Sequence, residues 1–217
     1  LNAPSTGNSE REPFTPPEPL RDVDFSLPPG FAADMRGVPT CSVVELIGTG
    51  EFPTCAPDSQ VGTVSLRTYV LRPVTLGFSL FRLKATDDAP VRFGFNGLGP
   101  LNFLDATVNA EGRLSFGLTN INETPPPNGV TVSLWGVPAD PAHTPQRGCP
   151  GLASPLDIVH PGGPSCPASL PPRAMLRLPT TCSAPGTVSY GVASWTHSGD
   201  FQRGSFSLHR SPGLLGD

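Results

Sequence analysis

Residues 61–71 read VGTVSLRTYVL, and their period decides the fold. Val64, Leu66 and Thr68 fall on one side of an extended chain and Ser65, Arg67 and Tyr69 on the other. Successive side chains of a strand point to opposite faces, so this alternation predicts a half-buried β-strand. Similar runs occupy residues 22–27, 75–83, 91–95, 102–108, 114–120, 130–137, 187–195 and 201–208. Glycine-bearing connections such as NAEG (109–112) and HSGD (197–200) between them read as hairpin turns. Strands spaced at roughly ten residues predict an all-β fold, a sandwich or jelly roll of about eight to ten antiparallel strands.

One helix interrupts this pattern. Residues 41–47 (CSVVELI) predict a short helix, with Thr40 as its cap and Gly48 and Gly50 ending it. Residues 1–21 form a Pro-rich extended arm with polyproline character, and residues 22–217 a single domain. Within that domain, residues 138–174 hold many prolines, two histidines, two cysteines and no alternating run. This predicts a long irregular insertion.

Composition narrows the classes. The chain of 217 residues carries 29 prolines and 24 glycines, clustered between apolar runs as turns are. Charged residues are only 15% and net charge is −4. Lys84 is the only lysine among fourteen basic residues, and no basic stripe suggests nucleic acid. No apolar run is long enough to span a bilayer as a helix, and no polybasic amphipathic segment suggests a membrane surface. The chain opens at Leu1 without a methionine or signal peptide, which reads as a mature or excised piece.

Five cysteines stand at turns: Cys41, Cys55, Cys149, Cys166 and Cys182. Such placement implies disulfides and an oxidising compartment, hence a secreted or cell-surface setting. Cys41 and Cys55 flank the helix, and closing that loop contributes about 3 kcal/mol in the chain-entropy account. Cys149–Cys166 would pin the insertion and leave Cys182 as a free thiol or one missing its partner. Cys166–Cys182 is the alternative.

Certain blocks occur together in order: LPPGF (27–31), VPTC (38–41), CAPDSQVGTV (55–64), VRFGFNGLG (91–99), VSLWGVPADPAH (132–143), QRGC (146–149) and LPTTCSAPGTVS (178–189) with SW (194–195). Through them the chain resembles large, secreted, Pro/Gly-rich β proteins of actinobacterial type. The resemblance implies export and neighbouring modules, and no activity. It also implies a cysteine after the last hairpin. GLLGD (213–217) stands there instead, in keeping with an unpartnered Cys182.

Candidate chemistry is thin, and each constellation has an ordinary structural reading. His143 with Cys149 and His160 with Cys166 repeat a spacing that could hold zinc, but oxidised cysteines bond each other. Ser189, His197 and Asp200 could form a hydrolytic triad, yet GTVSYG is not a nucleophile elbow. FGFNGLG (93–99) lacks the Lys-Ser/Thr of a phosphate loop. Asp105, Glu111 and Asp140 could supply glycosidase carboxylates, Asp87-Asp88 a calcium ligand, and Asn122-Glu123-Thr124 a glycosylation sequon. Trp195 and Tyr190 could make a sugar-stacking platform, while Trp135 reads as core.

The leading expectation is therefore a non-catalytic structural or adhesive module with no metal and no cofactor. It would assemble with itself into a fibre or lattice, residues 1–27 covering an edge strand of a neighbour. A carbohydrate-binding module with glycan partners is the alternative, and an extracellular hydrolase the third reading.

Overall fold

The computed structural model describes residues 18–49, 52–69, 73–87, 89–97, 100–123, 127–152, 164–179 and 186–208. The arm before Glu18, Gly50, Asp88, His160 and Cys182 lie outside the described residues. The chain is all-β, as its alternation predicts. Strands β1 (Leu20–Ser26), β2 (Ala32–Ala33), β3 (Gln60–Tyr69), β4 (Pro73–Leu83), β5 (Val91–Asn96) and β6 (Leu101–Val108) come first. Then follow β7 (Leu114–Leu118), β8 (Pro127–Leu134), β9 (Leu176–Arg177), β10 (Thr187–Ser194) and β11 (Gln202–Ser207). One helix, α1 (Val43–Ile47), and two short 3₁₀ helices, Pro57–Ser59 and Pro141–Gln146, accompany them.

Nine strands form one antiparallel sheet in the order β11-β10-β1-β7-β6-β5-β4-β3-β8, and β2 pairs with β9 apart from it. The sheet curls on itself. Leu118 of β7 and Val130 of β8, five places apart in that order, line one cavity of about 40 Å³ with Leu66, Phe78 and Phe95. The inner face carries the main core, including Val64, Phe78, Leu80, Phe93, Phe95 and Phe116. Phe25 of β1 stacks on Phe116 of β7, centroids 4.9 Å apart.

The outer face is polar on one half. Ser205, Ser189, Ser26, Ser115 and Thr107 lie opposite one another across β11, β10, β1, β7 and β6. Ser26 and Ser115 share a hydroxyl hydrogen bond of 2.7 Å. On the other half, α1 covers the outer face with a second core of Leu46, Phe81, Leu83, Cys41 and Cys55. The disulfide Cys41–Cys55 closes this flap. Gly94 of β5 lies beneath it, where a Cβ would meet Leu83 Cδ1 at 2.6 Å and Leu46 Cδ2 at 2.9 Å.

Two boundaries differ from expectation. Residues 20–21, expected in the arm, belong to β1, which pairs with β10 and β7 of its own chain. Helix α1 is capped by Ser42 rather than Thr40. The Cys41 N–H is already donated to Arg82 O across the sheet, and the Ser42–Glu45 capping box closes two residues later.

The packing at Gly94 sets a test. Gly94→Val should destabilise the protein by about 1–3 kcal/mol, read as a lower urea midpoint at unchanged slope. Gly117→Val, on the same outer face with nothing within 4 Å of a new Cβ, should be neutral or stabilising.

Candidate functional site

The β10–β11 hairpin and its turn hold five of the side chains singled out from sequence: Ser189, Tyr190, Trp195, His197 and Asp200. Its turn runs through His197, Ser198, Gly199 and Asp200, with Gly199 at φ 89° and the Asp200 N–H donated to His197 O. Ser189 is mid-strand, facing Ser26 and Ser205, five residues short of Ser194 at the strand end. That places it about 16 Å from the turn, so Ser189, His197 and Asp200 do not assemble a triad.

A different trio meets at the turn. The Ser194 hydroxyl donates to Glu18 Oε2 at 2.6 Å, and His197 Nδ1 lies 3.1 Å from the same oxygen. The His197 backbone N–H donates to Ser194 Oγ at 3.0 Å. In a nucleophilic triad the imidazole stands between hydroxyl and acid. Here the carboxylate occupies that place, so the arrangement clasps the start of β1 to the hairpin. The Ser194 hydroxyl, with His197 beside it, holds the Glu18 carboxyl below its ordinary range.

Trp195 and Tyr190 are not brought together. Tyr190 faces inward, lying across Gly204 of the neighbouring strand, with its ring 6.3 Å from that of Phe206. Trp195 stands beyond the strand end. Its indole N–H donates to Ile121 O at 3.0 Å, and the Arg21 guanidinium lies 5.1 Å from its ring centroid. One ring face is thus occupied, and five residues of strand separate the two aromatics. They form no joint stacking platform.

The insertion is organised by a group that sequence reading missed. Arg147 is 1% exposed, and its guanidinium donates to Pro57 O, Gln60 O and Pro138 O. It also lies 5.0 Å from the centroid of Trp135, against which His143 stacks at 4.4 Å. Burial, reinforced by the Arg147 charge and opposed by Asp140, pushes the His143 pKa down. The WGVPADPAH and QRGC blocks therefore build a packed clasp, with Trp135 in the core as expected. Cys149–Cys166 pins it covalently, so neither thiol is available to a metal.

Two of the candidate glycosidase acids have scaffold partners. Asp105 forms a two-bond pair with Arg92, and Asp140 accepts from Ala142 N at the start of a 3₁₀ turn. Glu111 stands in the β6–β7 turn. Among the described residues no set of three His, Cys, Asp or Glu side chains gathers to hold a metal, and no helix is long and apolar enough to cross a membrane.

What stays open is the hairpin's outer strand. Among the described residues β11 ends the sheet, with Phe206 52% exposed on it and Leu208 42% exposed just beyond it. No family model matches the chain, and neither the curated proteins nor the solved structures yield a match.

The Glu18 clasp predicts a pH dependence. Because the folded Glu18 pKa is lowered, the clasp is intact above the ordinary glutamate pKa and lost as pH falls through the lowered value. The Trp195 amide, donated to Pro19 O, should report this as an NMR titration with its midpoint below the ordinary glutamate range. Glu18→Gln should abolish the transition.

Proposed function

We propose that the protein is a non-catalytic structural or adhesive module of a secreted or cell-surface assembly, and that it joins a second copy of itself through β11. The two disulfides support the oxidising, extracytoplasmic setting. The observation that carries the contact is the character of β11. Exposed sheet edges are templates for further strands, and proteins blunt them with proline, lysine, bulges or short length. β11 has six residues and none of these devices, and its one charged side chain, Arg203, reaches Asp24 of its own chain at 3.4 Å. Phe206 and Leu208, two residues apart, present apolar surface on one side of that edge.

The opposite edge is built otherwise. β8 begins at Pro127, which faces Thr68 next to an irregularity in its pairing with β3. When β11 meets β11 about a two-fold axis, the assembly closes as a pair rather than growing as a fibre.

Light scattering tests this. The wild-type protein should weigh as a dimer, and the double variant Phe206→Lys with Leu208→Lys should weigh as a monomer of unchanged thermal midpoint. A wild-type monomer at every accessible concentration would overturn the reading. Fibres in place of a closed pair would overturn the two-fold arrangement, and loss of assembly on deleting residues 1–17 would move the contact to the arm.

A further inference from the structure

A second feature lies on loops away from β11. The chain after β1 makes the two-residue strand β2, then the turn Met35–Val38, closed by the Val38 N–H donated to Met35 O. β9 runs alongside, with Ala32 opposite Arg177 and Ala33 opposite Leu176, and Asp34 N donates to Met175 O. Between these segments opens a polar cleft of about 380 Å³, lined by Asp34, Arg36, Gly37, Arg173 and Arg177 among others.

The cleft is preorganised from behind. Arg82 of β4 donates from Nη1 to both Met35 O and Val38 O, fixing the turn against the core. Met175 and Leu176 both donate to Gly136 O, which anchors the opposite wall. Gly37 leaves room for the Arg173 side chain, whose Cδ stands 3.0 Å from where a Cβ would be.

Its charge is unbalanced. Three guanidinium groups face one carboxylate, within a protein of net charge −4. Asp34 is committed to Arg36 through bonds of 2.9 and 2.8 Å, which hold its carboxyl well below the usual range and therefore ionised. Arg173 and Arg177 have no acidic partner within 4.0 Å among the described residues. Guanidinium forks match the oxygens of sulfate, phosphate and carboxylate, and an ionised Asp34 accepts from hydroxyl groups.

We infer that this cleft binds an anionic saccharide unit, its sulfate, phosphate or carboxylate held by Arg173 and Arg177 and its ring hydroxyls by Asp34. The volume falls within the range of small-molecule sites and exceeds what an inorganic oxyanion fills. No aromatic ring lines the cleft among the described residues. The site is separate from β11, and either can fail without the other.

Calorimetric titration of the intact protein with glucose 6-sulfate, glucose 6-phosphate, glucuronate, glucose and inorganic sulfate tests the assignment and distinguishes the anionic groups. At least one charged sugar should bind, glucose should not, and inorganic sulfate should bind more weakly. Arg173→Gln and Arg177→Gln should each weaken binding about tenfold, as the loss of one charge-assisted contact does. Both side chains are exposed, so the variants should keep the wild-type thermal midpoint. Absence of binding by every charged sugar, or binding indifferent to the double variant, would overturn the site. Inorganic sulfate binding as tightly as glucose 6-sulfate would overturn the saccharide.

Discussion

The structure depends on one constraint: the first strand of the chain lies in the middle of the sheet. β3 to β7 form a meander of sequential neighbours, which local turns can build. β10 and β11 form a separate hairpin. Only β1 joins them, pairing with β7 through Val23–Leu118 to Ser26–Ser115 and with β10 through Leu20–Ser194 to Ser26–Ser189. Its start is correspondingly dense in polar contacts. Ile121 N donates to Arg21 O, Asn120 N donates to Asp22 Oδ1, and Arg21 donates to Asn120 Oδ1. These bonds hold Asn120 at φ 55°, a left-handed conformation that asparagine tolerates better than most residues. The same corner receives the Trp195 indole, so the hairpin is fixed to the meander at its end as well as along its edge.

Where a segment's structure is set by local pattern, the sequence was readable. The alternation of Val64, Leu66 and Thr68 placed β3 and its buried face, and Gly112 and Gly199 marked hairpin turns that do adopt positive φ. Cys41–Cys55 was legible from the short loop it closes, while Cys149–Cys166 was preferred over Cys166–Cys182 and is the pair that forms. What stayed hidden is set by distant partners. β2 and β9 have two residues each, too few for any period, and exist because they find one another. The cleft of Asp34 and the arginines is a product of that pairing. Arg147 gave no signal because its burial is decided by three carbonyls from two stretches distant in sequence. The aromatics Trp195 and Tyr190 misled for the complementary reason. Nearness in sequence along a strand is distance in space, and each had a partner elsewhere.

The use of arginine gives these observations a common cause. A chain with 29 prolines lacks many backbone N–H groups, so the carbonyls of its irregular segments need other donors. Arginine supplies up to five N–H groups in a rigid fork, and a single head can collect carbonyls from separate strands and loops. Arg82 does this for Met35 and Val38, Arg113 for Leu27, Ser26 and Thr187, and Arg147 for Pro57, Gln60 and Pro138. Burial lowers the pKa of Arg82 and Arg147, yet a guanidinium keeps its proton where an ammonium would be at risk of losing it. The preference for arginine over lysine thus has a structural use in this fold. Against that pattern the exposed pair Arg173 and Arg177 stands out: they flank a wall already anchored through Gly136 O, and among the described residues neither guanidinium is spent on a backbone carbonyl.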